Sequence, residues 1–175
     1  MGSNYDFWAI EKAVRRAIEK LKINDADLLD IHANERSVSH KLAEYLQQEF
    51  NGRNVVCEYN RQGSDVKRLI FDFDKLGPCD LEAKTVFPDI IVHRRMTDQN
   101  LIVMEVIKST GPEATKDIEK LKSFTGNPEY RYKHGMFLKL GLNSDVILQL
   151  YKDGELDEDW TVDLKQELRR QGYGE

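Results

Sequence analysis

Two short acidic motifs have residue types and spacing suited to chemistry: Pro88-Asp89 and Glu105-Val106-Ile107-Lys108. They fall on the apolar, β-branched runs Asp89–Arg94 (DIIVHR) and Leu101–Lys108 (LIVMEVIK), and the Met96–Asn100 link is the length of a hairpin loop. Pairing Arg95 with Leu101 across that loop sets Asp89 opposite Ile107 and Ile91 opposite Glu105. Side chains alternate between faces, so Asp89, Glu105 and Ile107 share one face. The two carboxylates are then diagonal neighbours within reach of one cation. Glu105 sits in an otherwise apolar strand, which predicts a central strand covered on both faces. An ionised acid there is costly unless it is paired or bound to metal. Two converging carboxylates repel each other, and a divalent cation removes the repulsion. All-oxygen donors suit Mg²⁺ or Mn²⁺ rather than zinc.

Glu35, at the start of a helical segment, is a candidate third acid, favoured there by the positive end of the helix. Hydrolysis of a phosphodiester calls for such parts: a metal that generates hydroxide and neutralises the phosphate, and a cation on the developing charge. Arg94-Arg95, next to Asp89 in sequence, is a candidate phosphate contact. Lys116, Lys120 and Lys122, with Arg131 and Lys133, form either a phosphate-contacting rim or a solvated helix face. His93 shares the expected face of Asp89, and the four histidines show no metal spacing. No Ser-His-Asp arrangement, Walker loop or dinucleotide fingerprint is evident.

These residues need a scaffold. Apolar spacing predicts a helix over 5–22 (Phe7, Ile10, Val14, Ala17, Ile18, Leu21) and a second over 35–50 (Val38, Leu42, Leu46, Phe50) capped by Asn34. A short helical turn at 26–31 lies between them. Strands are expected at 54–60 and 69–73, with an irregular stretch over 75–86 before the hairpin. The Thr110-Gly-Pro-Glu113 capping box opens a further helix, which Gly126-Asn127-Pro128 closes. Strands at 136–142 and 146–151 and a short helix at 164–171 follow. Strands flanked by helices imply an α/β protein, a three-layer α/β/α domain with a central mixed sheet.

At 175 residues the chain is expected to be one domain, 1–175, hiding roughly 70% of its unfolded surface. With 26 basic and 31 acidic residues the net charge is −5, which excludes a protein that coats nucleic acid along its whole length but leaves room for a local basic patch. No apolar run reaches the ~18 residues of a membrane span and no signal-peptide core is present, so no membrane partner and a cytoplasmic location are expected. Cys57 and Cys79 are too few for a disulfide framework or a Cys-based zinc site, which fits a reducing compartment.

At these residues the chain resembles the PD-(D/E)xK nuclease superfamily, the restriction-endonuclease-like fold. The resemblance runs roughly from Asn34 to Leu142, with an N-terminal helix and a C-terminal strand-helix extension outside this core. Its pieces appear in the family's order: Glu35 on a helix, the strand VVCEYN, Pro88-Asp89, a strand with Glu105, a helix, a strand. The stretches NERSVSHKLAEYL and CEYNR are similar to small bacterial members. The resemblance implies a nuclease dependent on Mg²⁺ or Mn²⁺, acting on nucleic acid, DNA before RNA. Asp89, Glu105 and the Val106 carbonyl would hold the metal, Glu35 would support it, and a lysine would position water. A homodimer fits, since two cuts need two sites. The family spacing, Glu-any-Lys, puts that lysine at 107, where this chain has Ile. Lys108 enters the site if a bulge swings it in. Otherwise Lys116 or Lys120 of the next helix substitutes, or the site binds metal weakly and does not cut. In the last case the chain is a catalytically inactive binding or assembly module of the same fold. A remaining alternative is an unrelated α/β protein whose buried acids serve structure only.

Overall fold

Three helices open the chain: α1 (Phe7–Asn24), α2 (Ala26–Asp30) and α3 (Glu35–Glu49). They are seen in a computed structural model that describes residues 7–30, 34–59, 61–62, 65–66, 68–69, 84–85, 87–108, 114–141 and 146–170. The apolar stripes expected from spacing are the buried ones: Ile10, Val14, Ala17, Ile18 and Leu21 on α1, and Val38, Leu42 and Leu46 on α3. The α3 start is fixed by Asn34, whose side chain accepts the Arg36 N–H at 3.0 Å and so satisfies one of the helix's orphan donors.

After β1 (Asn54–Cys57) come two small antiparallel ribbons, β2 (Arg61–Gln62) with β3 (Asp65–Val66) and β4 (Arg68–Leu69) with β5 (Lys84–Thr85). The main sheet is completed by β6 (Ile90–His93), β7 (Asn100–Lys108), β8 (His134–Leu140), β9 (Ile147–Lys152) and β10 (Glu155–Leu156), in the order β1-β6-β7-β8-β9-β10. Neighbours are antiparallel except β7 and β8, which run parallel. A parallel pair needs a long crossover, and α4 (Thr115–Gly126) provides it. The last helix is α5 (Glu158–Arg170).

Strand β7 is buried along its whole length, because helices cover both faces of the sheet. Ile102, Met104 and Val106, with Ile90, Val92 and Leu138, pack towards α1, α3 and Trp160 of α5. Val103 and Ile107, with Ile91 and Phe137, pack towards Leu121 and Phe124 of α4. The fold is thus mixed α/β around an open six-stranded sheet, as the element pattern implied. Among the described residues no helix is long and apolar enough to cross a membrane.

Some expectations shift. The hairpin pairs Ile90 with Met104, Ile91 with Val103 and Val92 with Ile102, with a bulge between Val92 and His93. This is two residues from the pairing that spacing suggested, so every side chain keeps its face but gains a different partner. Ile91 faces Val103, and continuing the register sets Asp89 opposite Glu105 rather than Ile107. The cause is the loop: the Arg94 N–H donates to the Gln99 carbonyl at 3.1 Å, and Thr97 Oγ1 donates to the Arg94 carbonyl at 2.8 Å.

Helix α4 begins at Thr115 with Ala114 at its N-cap and no side-chain cap, while the Thr110–Glu113 box lies outside the described residues. Helix α5 begins at Glu158, earlier than its apolar spacing suggests, because Asp157 caps it: Asp157 Oδ1 accepts the Trp160 N–H at 3.1 Å. Of the expected strand at 69–73, only Leu69 lies among the described residues, in β4.

Candidate functional site

Strand β6 stops at Ile90, opposite Met104, so β7 runs on past its partner. Along a strand, alternate residues turn their N–H and C=O groups towards a given neighbour. The N–H groups of Val106 and Lys108 on that edge therefore need acceptors other than a strand. Two carboxylates supply them. Asp89 Oδ2 accepts the Val106 N–H at 2.8 Å, and Glu35 Oε1 accepts the Lys108 N–H at 3.3 Å. A buried donor left unmade costs about 1–3 kcal/mol, so both acids hold the strand end before any chemistry is asked of them. The Val106 carbonyl lies on the same edge as its N–H.

Glu105 projects on the α4 side of β7 and is 1% exposed. Its Oε2 accepts from Lys120 Nζ at 2.8 Å, and the same ammonium lies 2.8 Å from Asp117 Oδ1. Asp117 and Lys120 are three residues apart on α4, which sets them on one helix face. Glu105 Oε1 is buried and has no hydrogen-bond partner among the described residues. Glu35, Phe87, Asp89, Glu105, Ile107 and Lys120 line one open cleft of about 390 Å³.

Burial pushes Glu105 well above the usual carboxylate range, opposed by Lys120 and reinforced by Asp89. Burial also raises Asp89, opposed by the Val106 N–H and then by Lys120. For Lys120, burial works against the charge. The attraction of Glu105 and the hydrogen bonds to Asp117 and Glu105 outweigh it, so the group lies above its ordinary value and remains an ammonium.

The expected site residues distribute unevenly. Asp89, Glu105 and Glu35 meet at the cleft, and Val106 enters it through its backbone. Lys108 does not bring its side chain there. The β7–β8 register runs unbroken from Ile102–His134 to Lys108–Leu140, so no bulge turns Lys108, which keeps the parity of Met104 and Val106 towards α3. Its contribution to the site is the N–H held by Glu35. Arg94 and Arg95 stand beyond the far end of β6, about 17–20 Å of strand from Asp89, so closeness in sequence did not make them neighbours in space. His93 is buried, with its ring 5.0 Å from that of Tyr59. Lys122 pairs with Glu119 at 3.2 Å, and Glu58 with Arg36 at 2.8 Å. Sequence reading did not single out Asp117, Arg36 or Phe87. The signal for Asp117 was its spacing from Lys120, and for Phe87 an aromatic ring directly before Pro88-Asp89.

Among the described residues no group of three or more His, Cys, Asp and Glu side chains is arranged to hold a metal ion. Asp89 and Glu105 form a pair, and Mg²⁺ is commonly held by one or two carboxylates, with water and phosphate oxygens completing its shell. The donors present fit that pattern: all are oxygens, and Glu105 Oε1 is a buried acceptor lacking a partner among the described residues. Comparison with protein-family models, curated proteins and solved structures finds no match to this chain, so function is argued from the geometry of the cleft.

Proposed function

We propose that this chain is a Mg²⁺- or Mn²⁺-dependent nuclease of the PD-(D/E)xK type, with a restriction-endonuclease-like fold, that hydrolyses phosphodiesters of nucleic acid, DNA before RNA. In this reading Lys120 of α4 supplies the cation that the family spacing puts at position 107. The observation that carries it is Lys120 Nζ, 2.8 Å from Glu105 Oε2 in the cleft that Asp89 also lines. Asp89, Glu105 and the Val106 carbonyl are the groups that would hold the metal. Bound there, it supplies a water of lowered pKa and neutralises phosphate charge. The chain's own residues do the rest. Lys120 is a fixed positive charge facing the oxygens on which charge develops, already oriented by two carboxylates and so needing little reorganisation. Asp117 positions Lys120. Asp89 and Glu35 also hold the exposed edge of β7, which fixes the Val106 carbonyl.

The test is cleavage of plasmid and single-stranded DNA in Mg²⁺ and in Mn²⁺, with Asp89→Ala and Lys120→Met alongside. Wild type cuts, Asp89→Ala does not, and Lys120→Met loses about 10²–10³ in rate. A wild type that cuts equally well with either substitution would remove the assignment. The second reading, a binding module that does not cut, is favoured by the same ion pair, since Lys120 offsets the charge of Glu105 without a metal. It requires DNA binding that is indifferent to Mg²⁺.

A further inference from the structure

One wall of the cleft has no part in phosphodiester chemistry. Phe87 lines the cleft beside Asp89, Glu105 and Lys120 and leaves 49% of its surface exposed. It belongs to neither core cluster, and the next residue, Pro88, is buried. A ring held half open beside a polar site leaves aromatic surface available to a ligand. Two residues, spanning at most about 7 Å, separate it from Asp89, so the ring is within one nucleotide's reach of the acids. Charge narrows the choice of ligand. Among the described residues the cleft is lined by five carboxylates and two cations, Arg36 and Lys120. Phosphate contacts alone attract a polyanion poorly there, and an uncharged contact has to carry more of the binding.

Resting on the nuclease reading, we propose that Phe87 is a stacking platform and that the cleft takes single-stranded nucleic acid, with the nucleobase beside the scissile phosphate lying on the ring. Every base has a π-face, so such a contact holds a strand with little regard to sequence. In a duplex those faces are covered by neighbouring pairs, and exposing one means unstacking and unpairing it first. Single strands present their bases already splayed. A half-exposed Phe next to the catalytic acids therefore discriminates by strandedness.

The experiment pairs binding with cleavage. Fluorescence anisotropy in EDTA reads the affinity for a labelled single strand, its duplex, and the same single strand with an abasic site at the nucleotide beside the cut. Single-turnover cleavage in Mg²⁺ reads half-saturation and maximal rate separately. Wild type should prefer the single strand. Phe87→Ala should weaken single-strand binding by about 5- to 150-fold, the range for loss of one base–aromatic stack. The loss should appear in half-saturation more than in maximal rate, with duplex binding unchanged. Phe87→Trp should retain the preference, and on the abasic strand Phe87→Ala should have no effect. Equal losses on the base-containing and abasic strands, or a preference for duplex, overturn the stacking role. Cleavage without strand preference overturns this inference and leaves the nuclease reading standing. Strand-selective binding that depends on Phe87, without cleavage, supports the platform and overturns the nuclease. No binding and no cleavage overturns both.

Discussion

Lys120→Met keeps most of the side chain's apolar stem and removes its charge. Asp117, on the half-buried flank of α4, can turn to water, but Glu105 is 1% exposed and cannot. An isolated carboxylate in that position is more costly than a protonated one, so Glu105 takes up a proton. The cost at pH 7 is then that of breaking a buried pair, about 3–5 kcal/mol. The sign is fixed by linkage. The pKa of Glu105 is higher folded than unfolded, so the folded state binds more protons above pH 4.5, and stability falls as pH rises towards the folded value. Wild type shows this trend more weakly, because Lys120 supplies a countercharge. Urea titrations from pH 4.5 to 7.5 should find the two proteins alike at the acid end, with the variant falling further behind wild type as pH rises. Adding Glu105→Gln should recover most of the loss, a non-additivity that isolates the pair. An offset that does not change with pH, or a loss under about 1 kcal/mol at pH 7, would mean that Glu105 reaches water and that the pair is not the buried device described.

Asp89→Ala removes the acceptor of the Val106 N–H, so it should cost about 1–3 kcal/mol by urea titration and abolish the heat of Mn²⁺ binding in calorimetry; equal binding by wild type and variant ends the metal claim. Lys108→Met should leave the single-turnover rate unchanged, since only the backbone of Lys108 enters the cleft; a large loss would put its ammonium in the site. Ile107→Lys should not accelerate wild type, where it sets a second ammonium near the first and removes buried apolar surface, but should restore cleavage to Lys120→Met; faster cutting by the single variant would refute the helix assignment. Gly154→Ala should lower Tm by about 2–4 °C, because its φ is +84° and the added carbon meets Gly126 Cα at 3.4 Å; an unchanged Tm would show that the turn relaxes at no cost.

Local rules carried far in this sequence because much of the candidate site lies on one strand. Alternation along β7 sent Glu105 and Ile107 to one face and Lys108 to the other whatever the register, since an even slip preserves faces. The register itself was not legible. Thr97 and the Arg94–Gln99 hydrogen bond close the loop earlier along the chain than the spacing suggested, and no apolar pattern reports on that. The role of Glu35 was half legible: its place in the first turn of α3 is local, but its acceptor duty arises only because β6 stops opposite Met104 while β7 runs on to Lys108. The start of α5 was not legible in apolar spacing because its signal is polar, Asp157 at the cap with Glu158 and Asp159 behind it. The meeting of Lys120 with Glu105 depends on how α4 sits on the sheet, a tertiary fact with no short-range signature.

In the proposed nuclease, the lysine can come from more than one element because the position of its ammonium matters, and that of its Cα much less. The charge rides on a flexible four-carbon stem. β7 and α4 are packed layers, and the gap between them opens above Asp89 and Glu105. A lysine at 107 would send its charge up from the sheet into that gap; Lys120 sends it down from the helix. With the charge supplied from above, position 107 is free to be apolar. Ile107 shares a core cluster with Leu121 and Phe124 of α4, so it helps hold the helix near enough for Lys120 to span the distance. The helix also contributes Asp117, which gives the ammonium a second carboxylate and keeps it charged despite its burial. Packing and chemistry are thereby tied together. Leu121, locked in the core, adjoins Lys120 in sequence, so the rotation of α4 about its axis sets where the ammonium points. A core substitution that turns the helix by a fraction of a residue would move the charge off Glu105 without altering a single acid.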